Sequence, residues 1–398
     1  MRRPNPELTA RLQDHTSTIF TEMTALAMQH GAVNLGQGAP DFSGPDEVLE
    51  VAVEAIRDGR NQYAPGPGVR PLREAIAAHQ QRFHGLAYDP DTEICVTAGA
   101  TEAITAAVFG LCDAGDEVVA LAPTYDSYPA ACAMAGARLR TVDLRGDEGW
   151  RFDPDELRAT VSPATRLLLL NTPHNPSGRV LDDEELAVIA EVCRDNDVVA
   201  VTDEVYEHLW FDGVRHRSLA TLPGMRDRTV VISSAGKTFS VTGWKVGWAC
   251  APPSLRDALL AAKQWLSFSN ATPMQFAVAH ALSMDDSWFD GYRADYARRR
   301  DVLLGALAEH GFDVTAPQGT YFATLDVTQL GETDGLELCR RLPKASGVAA
   351  IPVQVFHLDA RPGGPTPSQR WIRLAFCKND DAMREGVARL AAHRDRNG

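Results

Sequence analysis

Five short apolar segments, separated by longer segments of helical periodicity, constrain the fold of this 398-residue chain more than any other feature. The segments between these strands, such as residues 101–111 and 183–194, have apolar residues at helical spacing. Near-continuous apolar strands that alternate with helices predict an α/β fold, with a mainly parallel sheet covered by helices on both faces. The predicted strands are residues 94–96, 117–121, 166–170, 198–201 and 229–232.

Each predicted strand is followed by a loop that is rich in Gly, Pro and polar side chains. In chain order these loops read TAGATEA, APTYDSY, NTPHNPSG, TDEVY and SSAGK. Ligands of open α/β sheets bind outside the carboxyl ends of the strands. The sequence therefore predicts that the five loops converge on one ligand site.

The last of these loops, SSAGKTFSVTGWKVGW, contains two lysines, Lys237 and Lys245, eight positions apart. Lys237 follows a buried strand and has small neighbours, so its ammonium can lose water, which lowers its pKa and frees the amine to form Schiff bases. The commoner alternative is a solvated loop lysine. The GKT sequence also matches the end of the phosphate-binding motif GxxxxGK[ST], but Val231 stands where that motif needs its first glycine. A nucleotide-binding loop of that kind is excluded.

The first loop offers a site for an anion. Gly99, Ala100 and Thr101 open a predicted helix, and the free N–H groups and positive dipole end of a helix suit a phosphate. A helix cap formed by Thr97 or Thr101 alone explains the same residues equally well. Lys245 can bring a second positive charge to the same anion.

The remaining loops carry groups that suit an aromatic ring. Asp203 is a carboxylate at the mouth of a strand, where it can hold a ring nitrogen protonated, although a helix cap or an ion pair is the commoner role. Tyr206 and Asn175 can donate hydrogen bonds to a phenolate, and Tyr125 offers a face for stacking. An anion at this edge of the sheet also accounts for Ser234.

Net charge, apolar run length and cysteine spacing argue against several classes of protein. The net charge of -14 and the absence of a long Lys/Arg cluster argue against a nucleic-acid partner. The N-terminus does not resemble a signal peptide, and no apolar run is long enough to span a bilayer. The seven cysteines are scattered and lack a CxxC pair, so we expect a reduced cytoplasmic protein with no bound metal.

Taken together, the motifs resemble those of the fold-type I, class I/II pyridoxal-phosphate-dependent aminotransferases. The resemblance covers nearly the whole chain, from NLGQGAPDF and NQYAPGPG through the five loops above to WIRLAFCK. It implies residues 1–44 as an N-terminal arm and part of a small domain, 45–280 as a large cofactor-binding domain, and 281–398 as a smaller α/β domain. Residues 7–30 are predicted to be a helical arm, and the NLGQGAPDF loop is expected to close over substrate.

The resemblance also implies a role for each candidate residue. Lys237 would bind the aldehyde of pyridoxal 5'-phosphate as a Schiff base and, once freed, move the α-proton of the substrate. Asp203 would pair with the pyridine nitrogen. The other implied cofactor contacts are Asn175 and Tyr206 at the ring oxygen, Tyr125 stacked on the ring, and Ala100, Thr101, Ser234 and Lys245 at the phosphate. Tyr63 would reach the phosphate of the neighbouring subunit, which implies a homodimer with shared sites.

Arg373 is the candidate for the substrate carboxylate. In WIRLAFCK, strand alternation places Arg373 on the face opposite Ile372 and Leu374. A solvated edge arginine is the alternative, but a planar guanidinium also matches a carboxylate. The resemblance implies that Arg373 binds the α-carboxylate with help from Gly36 and Asn175.

The implied activity is a ping-pong transfer of an amino group between an amino acid and a 2-oxo acid. The motifs look most like those of N-succinyl-diaminopimelate aminotransferases, with kynurenine/glutamine/methionine aminotransferases and cysteine-conjugate β-lyases as alternatives. A ligand sensor with an added helix-turn-helix is a further alternative, but the roughly thirty residues before NLGQG are expected to be too few for one. Relatives often carry an aromatic residue where this chain has Ala39, and we hypothesise that Ala39 admits a bulky acylated side chain.

Overall fold

The computed structural model describes residues 9–357 and 366–397 of the chain. The strands are β1 Val33–Asn34, β2 Ile94–Thr97, β3 Glu117–Ala122, β4 Arg138–Asp143, β5 Thr165–Asn171, β6 Val199–Asp203, β7 Thr229–Ser234, β8 Gly247–Cys250, β9 Phe322–Asp326, β10 Val348–Ala349, β11 Ile351–Pro352 and β12 Trp371–Ala375. The α-helices are α1 Ile19–His30, α2 Asp46–Arg57, α3 Arg70–His84, α4 Gly99–Leu111, α5 Ser127–Ala135, α6 Pro154–Thr160, α7 Asp183–Asp195, α8 Ala235–Thr238, α9 Pro253–Leu266, α10 Thr272–Leu282, α11 Asp286–Glu309, α12 Gly335–Ser346 and α13 Asp380–Asn397. Short 3-10 helices occupy Ala10–His15, Gly146–Glu148, Leu219–Thr221, Arg226–Arg228, Thr242–Trp244, Val327–Leu330 and Val353–Phe356.

The largest sheet has seven strands in the order β2-β8-β7-β6-β5-β3-β4. The strands from β7 to β4 run parallel, and β8 is antiparallel to both of its neighbours, β7 and β2. The five strands predicted from the sequence are all present, which confirms the mainly parallel α/β fold. Two strands were not predicted. β4 is a half-polar edge strand, and β8 begins within the last two residues of the segment that the sequence indicated to be a loop.

Both faces of this sheet are buried, which explains why its strands other than β4 are apolar without alternation. Val119 and Leu121 of β3 pack in one core with side chains of α6 and α7. Val118 and Ala120 of the same strand pack in a second core with side chains of α4 and α9. Successive residues of one strand therefore belong to different cores, as in a sheet covered by helices on both sides.

A smaller sheet is built from the C-terminal part of the chain. β12 pairs antiparallel with β11 and with β9, and the core beneath contains Phe322, Ile372 and Leu374. β1 pairs in parallel with β10. The segment around residues 33–34 is thus tied to the C-terminal part of the chain.

The N-terminal arm differs from its prediction. The single helix expected over residues 7–30 is a 3-10 helix, Ala10–His15, followed by α1, whose N-terminus is capped by Thr18. Glu7 and Leu8 lie outside the described residues. The capping side chain of Thr18 favours a helix start at residue 19, and this local signal outweighs the continuous apolar spacing. None of the helices in the described ranges is both long and apolar enough to cross a membrane.

Candidate functional site

A cavity of about 200 Å³ lies beyond the carboxyl ends of the parallel strands, where the loops converge. Most of the residues proposed from the sequence line it. These are Ala100, Thr101, Tyr125, Asn175, Asp203, Tyr206, Ser234, Lys237 and Lys245. Because they come from five separate loops, the parallel sheet is what brings them together.

The start of α4 forms a positively polarised end of the cavity. The residue before the helix, Ala98, offers no capping side chain, and Thr97 donates its hydroxyl to the carbonyl of Gly99 instead. The side-chain cap considered from the sequence is therefore absent. The first N–H groups of an α-helix lack partners within the helix, and Lys245 lies beside them: a Cβ built on Gly99 would lie 3.0 Å from Lys245 Nζ. This end of the cavity suits an anion.

Asp203 ends β6 and is 5% exposed. Its Oδ2 accepts a hydrogen bond from Tyr128 Oη at 2.7 Å, and no ion pair to it forms within the described part of the chain. Burial raises the pKa of Asp203 to about 6, although the hydrogen bond from Tyr128 opposes this shift. A carboxylate that is buried without a cation favours a ligand that brings a positively charged N–H to it.

Two further residues, Tyr128 and Asn171, contact Asp203 and were not predicted from the sequence. Tyr128 is the second residue of α5 and ends the same APTYDSY segment as Tyr125, and its place in that segment was the available signal. Asn171, the last residue of β5, donates from Nδ2 to the Asp203 carbonyl at 2.9 Å and accepts from the Asn175 N–H at 2.7 Å. It fixes the backbone on both sides of the cavity.

Lys237 lies on the one-turn helix α8, directly after β7. The side chain faces the cavity, and Nζ donates a hydrogen bond to Tyr321 Oη at 3.1 Å. Burial is the main cause that lowers the pKa of Lys237 to about 8; the charges of Arg373 and Lys245 act in the same direction, and the charge of Asp203 opposes it. The alternative of a solvated loop lysine is wrong, because protein atoms replace most of the water around this amine.

Arg373 lies on β12 and is 1% exposed, so the alternative of a solvated edge arginine is wrong. Its two terminal nitrogens donate to Asn175 Oδ1 and to the Gly36 carbonyl, both at 2.7 Å. Burial lowers the pKa of Arg373 to about 10, which leaves it charged at neutral pH. It forms no ion pair with any described carboxylate, and its Nε has no hydrogen-bond partner among the described residues. A buried, unpaired guanidinium favours an incoming carboxylate.

Gly36 and Arg373 adjoin the cavity through Asn175 but do not line it, and Tyr63 and Ala39 do not line it either. Tyr63 is 83% exposed, and its ring meets that of Phe268 edge-on at 5.5 Å. Ala39 is half-buried in the loop after β1, and its carbonyl accepts a hydrogen bond from Lys378 Nζ at 2.7 Å.

Comparisons with known proteins agree with this site. Residues 30–390 match the family described as aminotransferase class I and II. The chain is 49% identical to a Mycobacterium tuberculosis protein named "Probable N-succinyldiaminopimelate aminotransferase DapC", over 97% of this chain and 98% of that protein. It is 40% identical to the methionine aminotransferase of Escherichia coli, over 96% of this chain and 97% of that protein.

A solved structure supports the same conclusion for the fold. The structure of N-succinyldiaminopimelate aminotransferase from Mycobacterium tuberculosis superimposes with a TM-score of 0.93 at 49% identity, covering 97% of this chain and all of that one. The expected pyridoxal-phosphate fold type I is confirmed. The chain belongs to the class I and II aminotransferases, and it is a pyridoxal-phosphate-dependent enzyme that transfers amino groups between amino acids and 2-oxo acids.

Proposed function

We propose that this enzyme exchanges the amino group between N-succinyl-L,L-diaminopimelate and 2-oxoglutarate. The observation that carries the proposal is the 49% identity to a succinyldiaminopimelate aminotransferase over 97% of this chain. The likeness to that protein's solved structure, over all of its length, supports it further. Such a substrate is an α-amino acid with a long acylated side chain, and Ala39 presents only a methyl group on the loop after β1.

The cavity fits pyridoxal 5'-phosphate on three independent features. The helix end beside Lys245 suits the phosphate, and the Lys237 amine suits the aldehyde. The carboxylate of Asp203, which forms no ion pair with a described residue, suits a protonated ring nitrogen. The remaining proposed contacts are Ala100, Thr101 and Ser234 at the phosphate, Tyr125 on the ring face, and Asn175 and Tyr206 at the ring oxygen. When bound, the cofactor supplies an electron sink for the carbanion left by the departing α-proton.

Lys237 is the proposed general base and acid. A pKa of about 8 leaves a useful fraction of neutral amine near neutral pH, so Lys237 can accept the α-proton of the substrate and return it as an ammonium. Lys237 is thus the one residue that we propose to act both as the covalent anchor of the cofactor and as the proton carrier.

Arg373 is the proposed receiver of the substrate α-carboxylate. Its guanidinium is fixed by Asn175 and Gly36 and stacks 3.9 Å from the centre of the Phe322 ring. Because these contacts leave the positive charge uncompensated, a carboxylate gains a strong charge-assisted interaction. Binding there orients the α-carbon for Lys237.

We further propose a homodimer in which Tyr63 reaches the phosphate site of the partner subunit. Tyr63 and the neighbouring Phe268 are exposed, at 83% and 51%, as is Trp265 at 85%. Exposed aromatic side chains of this size favour burial against another protein surface. A second copy of the chain explains why Tyr63 lies away from the cavity of its own subunit.

The division into residues 1–44, 45–280 and 281–398, and a cytoplasmic location, also remain proposals. Pairing of β1 with β10 supports assigning the N-terminal segment to the small domain. The seven cysteines are all unpaired and six of them are buried, which suits a reducing compartment.

A single-turnover experiment tests the proposed substrate. Cofactor-loaded enzyme is mixed in turn with N-succinyl-L,L-diaminopimelate, glutamate, kynurenine, methionine and a cysteine conjugate, and the absorbance of the cofactor is followed. We expect the succinylated donor and glutamate to convert the cofactor to its amine form and to release a 2-oxo acid. Faster conversion by kynurenine or methionine would replace the proposed substrate, and pyruvate and ammonia from the cysteine conjugate would indicate a β-lyase.

A further inference from the structure

We propose that Tyr321 is a positioning residue that orients the free amine of Lys237 for proton transfer. Tyr321 belongs to none of the motifs above and immediately precedes β9. The inference rests on the role proposed for Lys237, and it concerns the state in which the Lys237 amine is not bonded to the cofactor.

The hydrogen bonds of Tyr321 fix the direction of its hydroxyl. Tyr321 Oη donates to the Gly38 carbonyl at 2.8 Å, and a carbonyl oxygen can only accept. The single hydroxyl proton is therefore used. The contact with Lys237 Nζ at 3.1 Å must then be an N–H of Lys237 donated to the phenolic oxygen. One N–H is turned toward Tyr321, and the lone pair of the neutral amine points away from it.

The ring of Tyr321 is held rigidly. It is fully buried, stacks on Tyr296 with centroids 5.8 Å apart, and meets Tyr206 edge-on at 5.2 Å. The backbone carbonyl of Lys237 accepts a hydrogen bond from Tyr292 Oη at 2.5 Å. Lys237 is thus positioned at both its backbone and its amine by tyrosines, and an amine held in this way loses less freedom on reaching the transition state.

Tyr321 also joins the proton carrier to the loop that helps to hold the carboxylate receiver. Gly38, which accepts from Tyr321, lies two residues after Gly36, which accepts from Arg373. A Cβ built on Gly38 would lie 2.5 Å from Phe322 Cζ, so the backbone of this loop packs directly against the start of β9. Tyr321 therefore links the Lys237 amine to the loop whose Gly36 carbonyl accepts from Arg373.

The test uses enzyme loaded with the amine form of the cofactor, in which Lys237 is free. The rate at which an amine-reactive reagent modifies Lys237 is measured against pH by peptide mass spectrometry in the wild-type enzyme, Tyr321→Phe and Tyr88→Phe. Removing the acceptor destabilises the ammonium, so in Tyr321→Phe the pKa of Lys237 is expected to fall by about one unit. Tyr88 is the matched control, because its Oη is buried and has no hydrogen-bond partner among the described residues, and its ring packs in a different core from that of Tyr321.

Kinetics supply a second readout. Single-turnover conversion of the substrate is expected to slow about tenfold in Tyr321→Phe, with KM unchanged and a larger kinetic isotope effect from an α-deuterated donor. Tyr88→Phe should behave like the wild type. If Tyr321→Phe matches Tyr88→Phe in both the Lys237 pKa and the isotope effect, Tyr321 has no positioning role.

Two further variants separate failure of the Tyr321 proposal from misfolding and from failure of the role proposed for Lys237. If Tyr321→Phe does not fold, 3-fluorotyrosine incorporated at position 321 weakens the acceptor while keeping the hydroxyl, and a smaller fall in the pKa of Lys237 is expected. Lys237→Ala tests the proposed function by itself: if this variant still bonds the cofactor covalently, the role of Lys237 fails irrespective of Tyr321.

Discussion

Lys237 and Asp203 line the cavity, and the buried Arg373 donates a hydrogen bond to Asn175, which lines it too; none of these three residues forms an ion pair with another. Burial lowers the pKa of Lys237 to about 8 and that of Arg373 to about 10, and it raises the pKa of Asp203 to about 6. Each shift disfavours the charged form, so each charge costs stability until a ligand compensates it. A cofactor with a cationic ring nitrogen and a substrate with a carboxylate compensate the charges of Asp203 and Arg373.

Replacing Asp203 by Asn tests this cost directly. The folded-state pKa of about 6 lies above the usual carboxyl value of 3.8, so the folded protein binds more protons and loses stability as the pH rises from about 4 through 6. We expect the cofactor-free protein to lose up to about 3 kcal/mol over this range, and Asp203→Asn to abolish that loss. Urea unfolding at pH 4.5 and at pH 7 measures the free energy of unfolding of each protein. If this free energy changes equally with pH in the wild type and in Asp203→Asn, Asp203 is not the group that titrates.

Asp203→Asn should also impair the reaction of the loaded enzyme. An amide cannot hold the ring nitrogen protonated, so we expect the single-turnover rate to fall by about a hundredfold or more. Tyr128→Phe is the control, because it removes the hydrogen bond to Asp203 Oδ2 but keeps the carboxylate. The single-turnover rate of Tyr128→Phe should fall far less than that of Asp203→Asn.

Arg373→Lys keeps the charge but loses the planar pair of donors. We expect kcat/KM for every α-amino acid donor to fall by about a hundredfold, since one point charge replaces two charge-assisted hydrogen bonds and the contact with Phe322. Steady-state kinetics with two unrelated donors checks this. The same substitution at the half-exposed Arg298, which pairs with Asp380, should have no effect. A loss confined to one donor would place Arg373 at the side chain of the substrate instead.

At the scale of elements, local pattern predicted the strands and the residues that directly follow them. Asp203 and Lys237 were found because each comes at or just after the end of an apolar strand. Tyr128, Asn171 and Tyr321 were missed because their roles depend on contacts between segments that are distant in sequence. Apolar alternation shows that Arg373 leaves the face of Ile372, but it does not show that this second face is buried.

The loop after β1 gives a prediction about specificity. Ala39→Phe places an aromatic ring on this loop, beside the carbonyl that Lys378 holds. If a small residue here admits a bulky acylated side chain, kcat/KM should fall for N-succinyl-L,L-diaminopimelate by about tenfold or more while that for methionine changes little. Ala39→Ser is the control for the substitution itself. Equal effects on both donors would refute the hypothesis.

A second buried network lies between α3 and the loop after β6. Glu207 accepts hydrogen bonds from His84 Nε2 at 2.7 Å and from Ser233, and the neighbouring His79 and His208 contact each other through their Nε2 atoms at 2.8 Å. Burial opposes the charge of His84, but the hydrogen bond and the charge of Glu207 raise its pKa above the usual 6.5. Burial likewise opposes the charge of Glu207, whose pKa the histidines nevertheless hold well below its usual range.

Glu207→Gln should therefore destabilise the fold in a pH-dependent way. Because the folded-state pKa of His84 is raised, its contribution is fully present below pH 6.5 and is lost as the pH rises through that raised value. We expect the free energy of unfolding to fall by about 3–5 kcal/mol relative to the wild type at pH 6 and by less at pH 9, as measured by urea unfolding. Glu54→Gln, on the exposed side of α2, is the control. An equal loss at both pH values would show that charge plays no part.

At the scale of the whole molecule, the proposed sharing of sites predicts that two defective subunits can complement each other. A Lys237→Ala homodimer lacks the amine in both sites, and a Tyr63→Phe homodimer lacks the partner hydroxyl at both phosphates. In a mixed dimer the two defects fall together in one site, and the other site regains both Lys237 and Tyr63.

We expect unfolding and refolding of an equimolar mixture to produce sites with wild-type cofactor affinity and turnover, which neither homodimer contains. Mixing without unfolding is the control. If the refolded mixture shows only the average of the two homodimers, Tyr63 does not contribute to the site of the partner subunit, and the exposed position of its ring then needs another explanation.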